Sequence, residues 1–272
     1  MKVKRSERLL DMIHYLQSRP NELVPLNYFS EKFQAAKSSI SEDLTILKNF
    51  FEKEGTGTLH TVAGASGGVK YIVKMNDEQA KKIIQELCEY IAKPDRLLPG
   101  GYLYMADIVG NPRIMNNVGK LFATKYANHK IDAVMTVATK GIPLAYSTAS
   151  YLNVPVVIVR RDSKVTEGST VSINYVSGSS KRIQSMVLAK RSLKEGSNVL
   201  IVDDFMKAGG TINGMINLLE EFNAKTAGIA VLVEAEKTEE RLIDNYISLV
   251  RLSEVDMKEK QIQVYEGNYF SL

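Results

Sequence analysis

The fold is decided by Val199-Leu200-Ile201-Val202-Asp203-Asp204-Phe205-Met206-Lys207-Ala208-Gly209-Gly210-Thr211. Four consecutive apolar residues read as a strand buried on both faces. Two adjacent carboxylates follow, then a small-residue turn and a threonine that opens a helix. Neighbouring carboxylates at a strand end accept hydrogen bonds from a vicinal diol such as the 2- and 3-hydroxyls of ribose. The glycines let backbone amides approach a ligand closely. A helix N-terminus favours a phosphate through its free N–H groups and its dipole, worth about 0.3–1 kcal/mol where exposed. By spacing alone, the string reads a sugar phosphate.

Working outward, helical and strand patterns alternate. Residues 111–127 read as a helix, 133–137 as a strand, 142–152 as a helix and 154–159 as a strand. On the far side, 199–202 is a strand, 211–222 a helix and 228–233 a strand. Such alternation predicts a mainly parallel sheet covered by helices, with ligands at the carboxyl ends of the strands. Three loops leave those ends. The first carries Ala138-Thr139-Lys140-Gly141 and the second Arg160-Arg161, while the third is the Asp203–Thr211 segment itself. Permanently charged, planar guanidinium groups suit a diphosphate. For Lys140, Arg160 and Arg161 a solvated surface role is the competing reading. Between residues 170 and 180 two alternating segments surround a polar tip, from which Ser179 and Ser180 reach toward a phosphate unless the hairpin is an ordinary surface one. Tyr102 and Phe205 border the position of a base or of the pyrophosphate end, with burial in the core as their alternative.

The first 74 residues have a different rhythm. Leu9, Leu10, Met12, Ile13 and Leu16 recur at helical spacing between Ser6 and Ser18. Leu26, Phe29 and Phe33 share one face of a short second helix. A third, capped at Ser38 or Ser39, continues through Ile40, Leu44, Leu47, Phe50 and Phe51. Strands over 57–62 and 69–74 are joined by a glycine-rich turn. Three helices and a hairpin are the order of a winged helix-turn-helix. Lys37, Ser38, Ser39 and Ser41 then stand at the start of the recognition helix, with Lys4, Arg5, Arg8 and, on the wing, Lys70 able to reach phosphate oxygens. The Glu42-Asp43 pair must point away from DNA. A linker helix capped by Asn76 or Asp77 runs to Ile91, with Cys88 on its apolar side as a small buried hydrophobe.

Composition agrees with this division. The chain has 272 residues and a net charge of +4. Residues 1–74 hold 11 Lys+Arg against 8 Asp+Glu, and the remaining 198 hold 24 against 23. The cationic excess therefore sits where a polyanion partner is expected. One cysteine and three widely separated histidines exclude a Cys-rich zinc module, and no metal site is expected. No apolar run approaches the length of a membrane span, and the start is charged and amphipathic rather than signal-like, so a cytoplasmic location without membrane contact is expected.

The Val199–Thr211 string resembles the phosphoribosyl pyrophosphate (PRPP) motif of the type I phosphoribosyltransferases. The loop Ala138–Gly141 is similar to their pyrophosphate loop, where backbone amides and a strained peptide grip the diphosphate, and residues 168–180 resemble their mobile hairpin. With the N-terminal winged helix, the whole chain resembles the purine operon repressor family of Gram-positive bacteria. The resemblance implies an α/β fold of two parts: a winged helix-turn-helix DNA-binding domain over 1–74, and a mainly parallel-sheet, PRPP-binding phosphoribosyltransferase-like effector domain over 75–272. It also implies a homodimeric repressor of purine biosynthesis genes whose partners are duplex operator DNA and PRPP. PRPP, free or with Mg²⁺, acts as inducer, and no resident cofactor is required. Purine nucleotides and guanosine alarmones, which carry both ribose and phosphates, are candidate competitors. Under this resemblance the fold senses PRPP without catalysis. The alternative is an active purine phosphoribosyltransferase with an appended regulatory domain.

Overall fold

The computed structural model describes residues 3–64, 67–163, 165–176, 183–236 and 241–271. Helix α1 (Arg5–Gln17) buries Arg8, Met12 and Leu16 at four-residue spacing. It is followed by β1 (Val24–Pro25), α2 (Leu26–Phe33), α3 (Lys37–Lys53), β2 (Gly57–Val62) and β3 (Gly68–Val73). These pack around Met12, Leu16, Phe29, Phe33, Ile40, Leu47 and Phe51. The hairpin falls within one residue of its sequence reading, and β1 adds a third strand by pairing Val24 with Val69. The third helix differs at its start. It is capped by the backbone at Ala36 with no side-chain hydrogen bond, so Ser38 and Ser39 lie inside the first turn rather than at the cap.

Asn76 caps α4 (Asp77–Ile91) by accepting the Gln79 amide at 2.8 Å. Then come β4 (Leu97–Leu98), β5 (Tyr102–Leu103), α5 (Ala106–Val109) and α6 (Pro112–Lys125), whose first turn is capped by Asn111. The alternating part follows with β6 (Ala133–Val137), α7 (Gly141–Leu152), β7 (Val156–Val159), the hairpin β8 (Thr170–Val176) and β9 (Ile183–Ala189), β10 (Asn198–Met206), α8 (Gly210–Glu220) and β11 (Lys225–Ala235). Two further strands, β12 (Ile247–Asp256) and β13 (Gln261–Glu266), complete a six-stranded sheet of order β13-β12-β11-β10-β6-β7.

Neighbours in that sheet run parallel except β12 and β13. One face packs on α4, α6 and α7 and the other on α8 and the β8–β9 hairpin, each through its own apolar cluster. The chain proceeds from β6 outward to β7, then returns past β6 to build β10, β11 and β12. The strand order therefore reverses between β6 and β10, which is where a ligand crevice opens in such sheets. No helix among the described residues is long and apolar enough to cross a membrane.

Candidate functional site

A cavity of about 440 Å³ opens at that reversal, beyond the carboxyl ends of the strands. Of the residues expected from sequence, Tyr102, Lys140, Asp203, Asp204, Phe205, Lys207, Ala208, Gly209, Gly210 and Thr211 line it together. Strand β10 continues beyond Val202, so both aspartates are strand residues, with Asp203 opposite Val231 of β11. Asp203 is 7% exposed. Its carboxylate accepts the Asp204 amide at 3.0 Å. Burial pushes the Asp203 carboxyl well above the usual range, and the Asp204 charge beside it acts in the same direction. Burial also raises Asp204, while the Lys140 ammonium opposes the shift. Lys140, at the end of the β6 loop, thus faces the carboxylate pair from across the strand reversal.

Two glycines shape the site. A Cβ on Gly141 would lie 2.0 Å from the Thr136 hydroxyl and 3.4 Å from Asp203 Oδ1, so the amino end of α7 packs on Thr136 as only glycine allows and lies beside Asp203. Gly209 has φ +87°, a conformation that L side chains rarely adopt, and turns the chain into α8. Its carbonyl accepts the Asn213 amide at 2.8 Å, so the helix begins there. The amides of Gly210, Thr211 and Ile212 have no intrahelical carbonyl to bond and stand at the cavity wall. An open helix N-terminus, a carboxylate pair and a lysine therefore converge on one space.

Ala138 and Thr139 do not line the cavity, but the peptide between them is cis and leads directly into Lys140. Arg160 and Arg161 lie outside the lining. Arg160 donates from Nε to Glu167 at 2.7 Å and its backbone pairs with Val187, so it ties β7 to the β8–β9 hairpin. Arg161 is exposed. Ser179 and Ser180 lie outside the described residues. The cavity is completed by Gly100, Gly101, Leu103 and Met105 from the β4–β5 corner, and by Ala235 at the end of β11 and Leu252 within β12. Gly100 and Gly101 both take positive φ in the turn between β4 and β5. For Ala235 and Leu252 no local signal exists, because they reach the cavity through sheet pairing. Among the described residues no three His, Cys, Asp or Glu side chains gather as metal ligands.

On the N-terminal unit, Lys37, Ser38 and Ser41 are exposed at the start of α3, Ser39 is half-buried there, and Lys4 is exposed before α1. Lys70 is half-buried on β3. Arg8 corrects the sequence reading. Its side chain is 11% exposed and bonds through Nε to the buried Asp43 carboxylate, so it holds α1 to α3 instead of facing a phosphate. Arg5 is 52% exposed but shares Asp43 at 2.8 Å and lies 3.6 Å from Glu42. The Asp43 carboxylate is thus turned inward, as a DNA-facing helix requires.

Residues 4–73 match the bacterial purine repressor N-terminal family, and residues 105–266 match the phosphoribosyl transferase domain family. The chain is 66% identical, over 99% of its length and 94% of the relative's, to the purine biosynthesis transcriptional repressor PurR of Bacillus subtilis (strain 168). It belongs to the bacterial purine repressor family. It is also 48% identical, over 99% of both chains, to the purine biosynthesis transcriptional activator PurR of Lactococcus lactis subsp. lactis (strain IL1403). These whole-chain relatives are transcriptional regulators by name, and the chain is a purine biosynthesis regulator built on a phosphoribosyltransferase fold. A solved adenine phosphoribosyltransferase from Thermoanaerobacter pseudethanolicus is 24% identical with a TM-score of 0.54, covering 62% of this chain and 99% of that one. That likeness shows the fold alone.

Proposed function

We propose that this regulator acts on purine biosynthesis genes as a homodimeric repressor, and that PRPP entering the β6–β10 cavity is the inducer that weakens its hold on operator DNA. The observation that carries the reading is the convergence of Lys140, the Asp203-Asp204 pair and the open end of α8 in one cavity of a chain that also carries a winged helix. In this reading the ribose hydroxyls donate to Asp204, and the 5-phosphate accepts from the amides of Gly210, Thr211 and Ile212. Lys140 faces the diphosphate. The raised carboxyl of Asp203 reduces the repulsion that two full negative charges would exert on an anionic ligand. Mg²⁺ accompanies PRPP as part of the ligand. Purine nucleotides and guanosine alarmones, sharing ribose and phosphates, compete for the same space. The direction of regulation follows the 66% identical repressor rather than the 48% identical activator.

Linkage requires that whatever factor PRPP takes from DNA affinity, DNA takes from PRPP affinity. A gel shift on purine-operon promoter DNA, with and without PRPP, tests the reading for wild type and for the double variant Asp203→Ala with Asp204→Ala. The expected result is intact DNA binding in both and loss of the PRPP response in the variant. An unchanged response places the effector elsewhere. Incubation with PRPP and each purine base is expected to release no pyrophosphate, whereas robust turnover overturns a sensing role.

A further inference from the structure

Beside the cavity wall, outside the residues that line it, lies a polar cluster centred on Glu234, which is 6% exposed near the end of β11. Its carboxylate accepts from Arg241 at 2.5 Å, from the Tyr246 hydroxyl and from the Ser248 hydroxyl at 2.7 Å. Arg241 also donates to the Ala235 carbonyl at 2.6 Å and to the Tyr246 hydroxyl. Asn268, near the C-terminal end, receives the Ser248 amide at 2.7 Å and donates to the Tyr246 carbonyl at 2.8 Å. A carboxylate so deeply buried is retained only where its partners are complete. The network therefore fixes the segment Arg241–Tyr246 against the sheet at both of its ends.

That segment carries the contacts that matter. The Leu242 amide donates to the Ala208 carbonyl at 2.9 Å. Ile243 is buried beneath Gly209, where an added Cβ would meet its Cγ1 at 2.8 Å. Glu234 itself pairs in the sheet with Met206, one residue before the loop starts. The turn Lys207–Gly210 is thus gripped from below by a segment that the Glu234 network holds, with the Arg241 ion pair anchoring the end beside Leu242.

We propose that Glu234 and Arg241 are positioning residues for the phosphate-binding turn: by anchoring Leu242 and Ile243 they hold the backbone amides at the start of α8 in the geometry that receives the ribose 5-phosphate end of the ligand. The inference rests on the cavity being the PRPP site. It separates the two ends of that ligand, because the diphosphate end faces Lys140 on the β6 loop, which the network does not touch.

The test measures binding of PRPP, ribose 5-phosphate and inorganic pyrophosphate to full-length wild type, Arg241→Gln and Arg241→Lys by calorimetry, with operator affinity as the check on folding. Arg241→Gln is expected to weaken PRPP and ribose 5-phosphate about tenfold while leaving pyrophosphate and operator affinity within twofold, and Arg241→Lys to recover part of the loss. Ser248→Ala, a smaller change to the same carboxylate, is expected to shift the same two ligands in the same direction by less, and it carries the test if Arg241→Gln does not fold. Equal affinities in wild type and all folded variants, or a uniform loss for the three ligands, overturn the positioning role. Wild type that binds none of the three overturns the effector reading, and this role with it.

Discussion

Asn21 of the N-terminal unit donates from Nδ2 to the Tyr151 carbonyl at 3.3 Å, and to the Leu152 carbonyl at the same distance. Both carbonyls end α7, where the last C=O groups have no intrahelical partner. The Tyr151 ring packs against the N-terminal core. The other end of α7 is Gly141, beside Asp203. One twelve-residue helix therefore abuts Asp203 of the cavity at its start and the N-terminal unit at its finish. Asn21 takes positive φ, which suits asparagine, so the contact is made by a residue the turn itself favours.

If α7 transmits the ligand's presence, removing the Asn21 amide weakens the coupling and leaves the two binding events intact. Asn21→Gly, which keeps the backbone conformation, is expected to bind PRPP and operator with affinities within about threefold of wild type. The coupling, of the order of 1–3 kcal/mol in allosteric proteins, is expected to fall by about half. Operator titrations with and without saturating PRPP measure it. An unchanged ratio removes this contact from the route.

Arg8 and Lys37 divide structure from DNA contact. Arg8→Met leaves Asp43 buried with Arg5 as its remaining ionic partner, which is expected to destabilise the N-terminal unit by about 3 kcal/mol. The slope of log affinity against log salt is expected to stay as in wild type. Lys37→Ala is expected to do the reverse: stability changes little, and the slope shrinks by about 0.9, the value for one lost phosphate contact. Chemical denaturation and salt titration of operator binding read the two effects separately.

The buried role of Arg8 was in fact written in the spacing, since Arg8, Met12 and Leu16 repeat every fourth residue, as do Asp43 and Leu47 across from them. A cation near a DNA-binding helix nevertheless reads as a phosphate ligand until its partner is located in space. The loop chemistry was legible because strand, carboxylates, turn and helix start are contiguous in Val199–Thr211. The last two strands were not. In β12 the apolar pattern is interrupted by Ser248, Arg251 and Glu254, of which Ser248 serves the buried Glu234, and β13 is an edge strand with one covered face. Ala235 and Leu252 become cavity residues only through that pairing, which joins positions far apart in sequence.

Asp203 is expected to make the protein less stable as pH rises. A carboxyl whose folded pKa is raised favours the folded state below its unfolded value, and that advantage is lost as pH rises through the folded value. Asp203→Asn keeps the acceptor for the Asp204 amide and removes the charge. It is therefore expected to exceed wild type in stability at pH 7 by about 1 kcal/mol, a usual gain on relieving a functional site. That corresponds to about 2–4 °C in melting temperature for a chain of this size. The difference is expected to vanish below pH 4, where both carry a neutral group. Thermal melts across pH measure it, and a variant no more stable than wild type at pH 7 contradicts the argument.

Asp107 predicts the opposite slope. Hydrogen bonds from the Arg96 guanidinium, at 2.8 and 2.7 Å, hold its carboxyl down to about 2. Arg96 also donates to the carbonyls of Tyr90 and Tyr104, so the same guanidinium closes the β4–β5 corner that brings Gly100–Leu103 to the cavity. A depressed carboxyl contributes stability above its unfolded value near 3.8, and that contribution is lost as pH falls through about 2. Because the Asp107 side chain is 35% exposed, solvent screening reduces the contribution to about 1 kcal/mol. Asp107→Asn is therefore expected to lower stability at pH 7 by that amount and to converge on wild type only as pH falls below about 2. Amide protection at Tyr102 and Tyr104, corrected for the intrinsic pH dependence of exchange, is expected to fall in the variant at neutral pH, and in wild type only on acidification. Wild-type protection that is equal at both pH values excludes the Arg96–Asp107 pair as the clasp of this corner.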